Sequence, residues 1–165
     1  MRFGKRNDTI DMKPIKKIIL AFGILFIAIQ FMQPAHNKSG QALPADFVKI
    51  YSIPANVEGI LQNACYDCHS NNTNYPWYSN IQPMAWIMKR HIDNGKEKLN
   101  FSEFGIYSNR RQISKLKGIA SQIKDDEMPL FSYKMMHSKA KLTKEKKDLI
   151  INWMNKIADS LSANN

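Results

Sequence analysis

The feature of this 165-residue sequence that most restricts its fold is the pentapeptide CYDCH at residues 65–69. It places two thiols, Cys65 and Cys68, at the two ends of a Cys-x-x-Cys unit and an imidazole, His69, directly after the second thiol. This spacing is typical of c-type haem attachment, in which each thiol bonds to a vinyl edge of the porphyrin. The histidine then lies under the ring, where it can bind the iron. The motif therefore predicts one covalent haem c with His69 as the proximal iron ligand.

Three other interpretations of the two cysteines fit the sequence less well. A dithiol redox pair usually follows a strand in a βαβ unit, and no alternation of strands and helices is visible here. A structural zinc site needs four ligands, whereas the remaining histidines are not paired at zinc-site spacing; they are His36, His91 and His137. A disulfide between Cys65 and Cys68 would close a loop too short to constrain much of the unfolded chain.

The composition indicates one folded domain with a short appendage, since 44% of the residues are hydrophobic and 23% are charged. The net charge of +10 suits nucleic acid, anionic lipid or an acidic protein as a partner. No nucleic-acid module is recognisable, and the aromatic residues are not interleaved with basic ones as a stacking platform requires. We therefore predict that nucleic acid is not a partner.

Residues 18–32 form an apolar run, IILAFGILFIAIQFM, and no charged residue occurs up to position 33. As a helix this stretch would rise about 24 Å, slightly less than a hydrocarbon core of about 30 Å. We predict a transmembrane anchor at residues 18–33. A cleaved signal sequence is the alternative, although the sequence around Pro34 offers no good cleavage site.

The predicted anchor divides the chain into further segments. Residues 1–17 contain six Lys or Arg and two Asp, which predicts a basic cytoplasmic N-terminus and an extracytoplasmic or periplasmic remainder. Residues 34–55 are polar with three prolines and predict a linker. Residues 56–158 are the predicted haem-binding domain, and residues 159–165 a polar tail. The expected location is the cytoplasmic membrane, crossed once.

Four stretches of the predicted domain have the apolar periodicity of helices. They are an entry helix at 56–64, a helix after Pro83 with His91 on its apolar face, a helix at 109–124 and a C-terminal helix capped by Thr143. The loop after His69 carries three aromatic residues that either cover a porphyrin edge or belong to the core: Tyr75, Trp77 and Tyr78. The expected fold is all-α, a cytochrome c-like helical domain with long loops, preceded by one transmembrane helix.

Met128 is the predicted distal iron ligand. It follows three acidic residues, which are unfavourable at the C-terminal end of a helix dipole and favour termination there, and it precedes Pro129. A thioether is a soft ligand that raises the reduction potential and closes the sixth position of the iron. His91 and His137 are the alternative distal ligands, and Met128 as an ordinary packing residue is a further interpretation.

The order of these parts resembles a class I cytochrome c, with an entry helix, the Cys-x-x-Cys-His motif, a Met-Pro loop and a C-terminal helix. Several segments together resemble more closely the bacterial haem-binding domain family, small membrane-tethered proteins of cell envelopes. These segments are CYDCHSNNTNYPWYSNIQPMAW, HIDNGKEKLNFSEF, DDEMPLFSYKMMHSKAKLT and INWM. The resemblance covers about residues 44–158.

The resemblance implies covalent attachment at Cys65 and Cys68 and proximal ligation by His69. Met128 fits the Met-Pro element of the family. Two histidines fall on the family's other histidine positions, so the resemblance leaves the sixth ligand open; they are His91 and His137.

The expected function is that of a membrane-anchored mono-haem electron carrier rather than an enzyme. Its expected partners are redox proteins of the envelope and the haem attachment machinery. The alternative is a gas or redox sensor, or a peroxidase-like enzyme, in which the distal position is open and His91 or His137 acts as acid and base. A third interpretation is a haem-bearing assembly or anchoring protein.

Overall fold

The computed structural model describes residues 12–41 and 43–163, and within them the chain is helical without a strand. Residues 1–11 of the predicted N-terminus and 164–165 of the predicted tail lie outside the described residues. The α-helices are α1 (Met12–Gln30), α2 (Phe47–Ile50), α3 (Ala55–Ala64), α4 (Tyr66–His69), α5 (Met84–Lys98), α6 (Asn109–Lys124), α7 (Phe131–Met136) and α8 (Lys144–Ala163). Short 3-10 helices occur at Trp77–Asn80, Phe101–Ile106 and Ser138–Ala140. The helical class agrees with the prediction, and the cytochrome c-like topology stays a prediction.

The predicted transmembrane helix at residues 18–33 is wrong. Among residues 12–41 and 43–163, no helix is long and apolar enough to cross a membrane. α1 takes in three lysines before residue 18 and ends at Gln30. Its uncharged part, residues 18–30, rises only about 20 Å, well short of a hydrocarbon core of about 30 Å. The predicted location, a single pass through the cytoplasmic membrane, is wrong for the same reason.

The C-terminal end of α1 is joined to the start of α5. The Gln30 Oε1 atom accepts a hydrogen bond from the backbone N–H of Gln82 at 2.9 Å. The fully buried Gln82 side chain donates to the Met32 carbonyl at 2.8 Å, and the Trp86 indole donates to the same carbonyl at 3.0 Å. These hydrogen bonds hold the C-terminal end of α1 and the residues just after it against the start of α5.

The segment after α1 lies along the loop that follows residues 65–69. The Thr73 N–H donates to the Asn37 carbonyl at 3.0 Å, and the Ser39 N–H donates to the Asn71 carbonyl at 3.0 Å. Part of the predicted linker is therefore docked on the loop after the CYDCH motif.

The core forms where α6 and α8 pack together and α3 packs against α8. Leu61 of α3, Leu116 of α6 and Ile150 of α8 are each 0% exposed. The apolar faces predicted from the sequence are thus confirmed for these three helices. Other buried members of this core are Val57, Ala120, Ile123, Met154 and Ala158.

The core also includes Phe47, which precedes the predicted domain boundary at residue 56. Asp46 caps α2 by accepting a hydrogen bond from the Val48 N–H at 3.2 Å. Phe47 is 0% exposed, and its ring centroid lies 4.8 Å from that of Phe104 and 5.7 Å from that of Trp153. The folded unit therefore begins before α3.

Phe47→Ala tests this extension of the core. Removing a fully buried phenylalanine should lower the free energy of unfolding by about 3 to 5 kcal/mol, because a cavity remains among the neighbouring rings. Ile50→Ala, on the same short helix but 38% exposed, is the matched control and should cost less than about 1 kcal/mol. Urea unfolding measures both, and equal effects would place Phe47 outside the cooperative core.

Candidate functional site

The CYDCH motif forms a tight turn that begins at the end of α3 and includes all of α4. Cys65 ends α3, and its carbonyl accepts hydrogen bonds from the N–H groups of Cys68 at 3.2 Å and His69 at 3.0 Å. α4 consists of residues 66–69 and is a single helical turn. Both thiols and the imidazole are therefore held on one short, hydrogen-bonded segment.

The orientation of His69 is set by two backbone carbonyls at the end of α5. Its Nδ1 atom lies 2.9 Å from the Gly95 oxygen and 3.1 Å from the Leu99 oxygen. Because carbonyl oxygens only accept, Nδ1 carries the proton, and Nε2 keeps its lone pair. Burial lowers the pKa of His69 and outweighs these two bonds, which raise it. A neutral histidine with Nδ1–H on a carbonyl is the arrangement that metal-ligating histidines usually adopt.

Gly95 allows this contact because α5 approaches the turn closely. A Cβ atom added at Gly95 would lie 2.6 Å from the backbone oxygen of Cys68. No larger residue fits without moving one of the two backbones. The short distance between α5 and the CYDCH turn therefore requires glycine at position 95.

The two thiols are partly buried and free, and they line different cavities. The Cys68 cavity has a volume of about 290 Å³ and lies between α4, α5 and α7. The Cys65 cavity has a volume of about 380 Å³ and is bounded by residues of α3 and α6. The residues that line both cavities are Ala64, His69, Lys98, Met128 and Pro129.

The two cavities adjoin along His69 and Met128, and both have largely apolar walls. Each volume is close to or within the range of small-molecule sites. The Cys68 cavity is lined by Tyr78, Met84, Ile87, Met88, His91 and Ile92, and the Cys65 cavity by Leu99, Phe101, Ile119, Ile123 and Leu142. This pair of adjoining cavities would suit a flat apolar macrocycle, and Lys98, which lines both, would place a positive charge beside its carboxylates.

Met128 is placed by the end of α6. Asp126 has a left-handed φ of 60°, a conformation that Asp adopts more readily than most residues. After this turn, the N–H groups of Glu127 and Met128 both donate to the Gln122 carbonyl, at 3.0 and 3.2 Å. Asp126 also forms an ion pair with Lys147 of α8. The backbone of Met128 is thus attached to the helices that form the core.

The two alternative distal residues differ in their surroundings. His91 lies on α5 and lines the Cys68 cavity. His137 lines it too, but its Nδ1–H donates to the Tyr133 carbonyl at 3.1 Å and its Nε2 lies 3.3 Å from the Tyr78 hydroxyl. Both ring nitrogens of His137 are therefore engaged. All three predicted distal residues meet in one cavity, and the choice among them stays a prediction.

The aromatic residues of the loop after His69 are separated by the fold. Tyr78 is 9% exposed and lines the Cys68 cavity, whereas Trp77 is 76% exposed. Tyr75 stacks on His36, with ring centroids 4.2 Å apart. Only Tyr78 is thus placed to cover an apolar ligand in this cavity.

The alternatives to haem attachment lack support in this geometry. A dithiol redox pair needs a lowered thiol pKa, but burial and the neighbouring Cys68 raise the pKa of Cys65 to about 12. Burial and the Asp67 carboxylate raise the pKa of Cys68 to about 11. In the described part of the chain, no group of three or more His, Cys, Asp or Glu side chains is arranged to hold a metal ion.

Two polar residues of the site were missed from the sequence. Asp67 accepts a hydrogen bond from the Tyr133 hydroxyl at 2.6 Å, across 66 positions of the chain. No spacing rule connects residues so far apart. The only available signal was that Asp67 lies inside the CYDCH motif and Tyr133 follows Met128 closely.

Gly95→Ala tests the close approach of α5. The added methyl group should lower the free energy of unfolding by about 1 to 3 kcal/mol, because backbone must move to admit it. Gly59→Ala is the matched control, since it is also in a helix and has no atom within 4 Å of the added Cβ. It should stabilise by about 0.5 to 1 kcal/mol. A stabilised Gly95→Ala protein would contradict the geometry.

The raised thiol pKa values predict how the haem-free protein reacts with iodoacetamide. Only the thiolate reacts, so the rates should stay low at pH 9 and rise toward pH 11 for Cys68 and pH 12 for Cys65. The variants Cys65→Ser and Cys68→Ser each leave one thiol and separate the two rates. The ordinary pKa of a cysteine thiol is 9.0. If the alkylation rate of either thiol reached half its maximum below pH 9.0, the prediction would be contradicted.

Comparison with protein families agrees with this site. The model of the haem-binding domain family matches residues 24–156, which is most of the chain and contains the CYDCH motif, both cavities and Met128. The resemblance seen in the sequence is thereby confirmed. The comparisons with curated proteins and with solved structures found no match.

Proposed function

The chain belongs to the haem-binding domain family, and we propose that it holds one haem c through Cys65 and Cys68 and works as a one-electron carrier. The observation that carries this proposal is the pair of carbonyl bonds to Nδ1 of His69, at 2.9 and 3.1 Å. They leave Nε2 as the free ligand atom beside two thiols at haem attachment spacing. Haem binding follows from the family, and covalent attachment and electron transfer are the proposed parts.

When bound, haem supplies an iron that changes by one electron between its ferric and ferrous states. The chain contributes the residues around it. Cys65 and Cys68 face separate cavities, which suits thioether bonds at two different edges of one macrocycle. His69 is kept neutral by its burial and is oriented by its two carbonyl partners, so it needs no rearrangement to bind iron.

Met128 is the distal residue that this geometry favours. It lines both cavities, as His69 does, and its backbone is tied to α6 through Gln122. His137 would first have to give up the Tyr78 hydroxyl at its Nε2. A thioether favours the ferrous state and fills the position that a gas or peroxide would need, which suits an electron carrier.

Exchange of electrons requires a partner protein, and we expect one with an acidic docking face. The chain has a net charge of +10, Lys98 lines both cavities, and Lys115 lines the Cys65 cavity. Opposite charges steer such partners together and accelerate their encounter. The association rate with this partner should therefore fall as the salt concentration rises.

Met128→Ala tests the proposal. In the haem-loaded protein it should abolish the weak long-wavelength absorption band of thioether-ligated ferric haem, lower the reduction potential and allow carbon monoxide to bind the reduced form. Met88→Ala removes another thioether from the Cys68 cavity and should leave all three properties unchanged. If only Met88→Ala changes them, Met88 is the ligand.

The same spectra also test the competing function, a gas sensor or peroxidase-like enzyme. A gas sensor or peroxidase-like enzyme would bind carbon monoxide readily in the unmodified protein, because its distal position is open. His91, which lies on the wall of the Cys68 cavity, would then be the acid–base candidate. Rapid carbon monoxide binding by the reduced wild-type protein would contradict the electron-carrier proposal and support the sensor or enzyme.

A further inference from the structure

The segment after Met128 lines the Cys68 cavity and is buried at Pro129, but the helix that follows is exposed. We define the distal strap as residues 128–137, which include α7. α7 has no buried residue, and Phe131 and Met135 are 75% and 65% exposed. Apolar burial therefore contributes little to the position of this helix.

One side-chain bond connects the distal strap directly to the CYDCH turn. The Tyr133 hydroxyl donates to the Asp67 Oδ2 atom at 2.6 Å. Burial, together with the hydrogen bond and the charge of Asp67, raises the pKa of Tyr133, so the hydroxyl keeps its proton and remains a donor. A hydrogen bond to a carboxylate is among the stronger polar contacts in proteins.

Asp67 and Tyr133 each make further contacts beside this bond. On one side, the Asp67 Oδ1 atom accepts from the Asn74 N–H at 3.0 Å, and the Asp67 carbonyl accepts from the Thr73 hydroxyl at 2.6 Å. On the other side, the Tyr133 ring stacks on His137 with centroids 4.0 Å apart. Asp67 is thus bonded to the loop that follows the CYDCH turn, and the orientation of the Tyr133 ring is set within the distal strap.

We propose that Tyr133 is a positioning residue that holds the distal strap against the CYDCH turn through Asp67 and thereby keeps Met128 at the haem iron. Tyr133 acts through the strap and does not itself contact iron. Its hydroxyl sets the fraction of molecules in which the strap is open and Met128 is displaced. This inference rests on the proposed function, because it takes Met128 as the distal ligand.

Tyr133→Phe in the haem-loaded protein is the direct test, since it removes the hydroxyl and keeps the ring that stacks on His137. The affinity of the reduced protein for carbon monoxide should rise on the order of tenfold, the size expected for loss of one hydrogen bond to a carboxylate. Tyr51→Phe is the matched control. It removes a hydroxyl that donates to Gln112 at 2.5 Å in the core region, and it should leave this affinity unchanged.

Two further measurements separate positioning from general destabilisation. Amide hydrogen exchange should accelerate in residues 128–137 of Tyr133→Phe and stay unchanged in α8. Asp67→Asn, which removes the acceptor's charge, should raise the carbon monoxide affinity in the same direction. In the double variant the two effects should be less than multiplicative, because both act on one bond.

The outcomes distinguish this inference from the proposed function. Wild-type carbon monoxide affinity in Tyr133→Phe, with a clear increase in Met128→Ala, would overturn the role of Tyr133 and leave Met128 as the ligand. No change in Met128→Ala would overturn both, since Met128 would then not occupy the iron. A tenfold rise in Tyr51→Phe would show that any lost hydroxyl loosens the site and would also overturn the inference.

Discussion

The two hydrogen bonds from Nδ1 of His69 to the carbonyls of Gly95 and Leu99 are the interaction on which the site depends. They orient the imidazole, select its tautomer and hold the end of α5 against the CYDCH turn. α5 also supplies the wall of the Cys68 cavity, including His91. Because the contact needs the close backbone approach at Gly95, one glycine shapes both the surroundings of His69 and the Cys68 cavity.

The opposite wall of the site combines a firm part with a lightly held one. The backbone of Met128 is bonded to the end of α6, and α6 packs with α8 in the core. Beyond Pro129, α7 buries no residue and is attached by two side-chain hydrogen bonds, one between Tyr133 and Asp67 and one between His137 and the Tyr78 hydroxyl. Met128 thus lies at the boundary between a backbone segment bonded to α6 and a short helix attached by two side-chain hydrogen bonds.

Features that depend on local pattern could be predicted from the sequence, and those that depend on distant contacts could not. The spacing of residues such as Leu61, Leu116 and Ile150 identified the core faces of α3, α6 and α8, and the CYDCH motif identified the centre of the site. Hydropathy suggested a membrane helix at residues 18–33, but it does not say where a helix begins and ends. α1 includes lysines and stops at Gln30, so the apolar part is too short.

Residues predicted as linker illustrate the same limit. Phe47 belongs to the core because rings from distant segments surround it, and a polar, proline-containing sequence gives no sign of this. The bond between Asp67 and Tyr133 is equally invisible, because it joins positions 66 residues apart. Chemistry concentrated in a short motif is readable from sequence, whereas the support of that motif is a property of the whole fold.

The central claim is covalent attachment of one haem at Cys65 and Cys68, and the mass of the denatured protein tests it most directly. After expression with a haem attachment system, the unfolded wild-type chain should retain the mass of one haem through acid extraction. Cys65→Ser and Cys68→Ser should each retain it less completely, and the double variant should lose it. Haem that leaves the wild-type chain on denaturation would contradict the account, because it would show binding without thioether bonds.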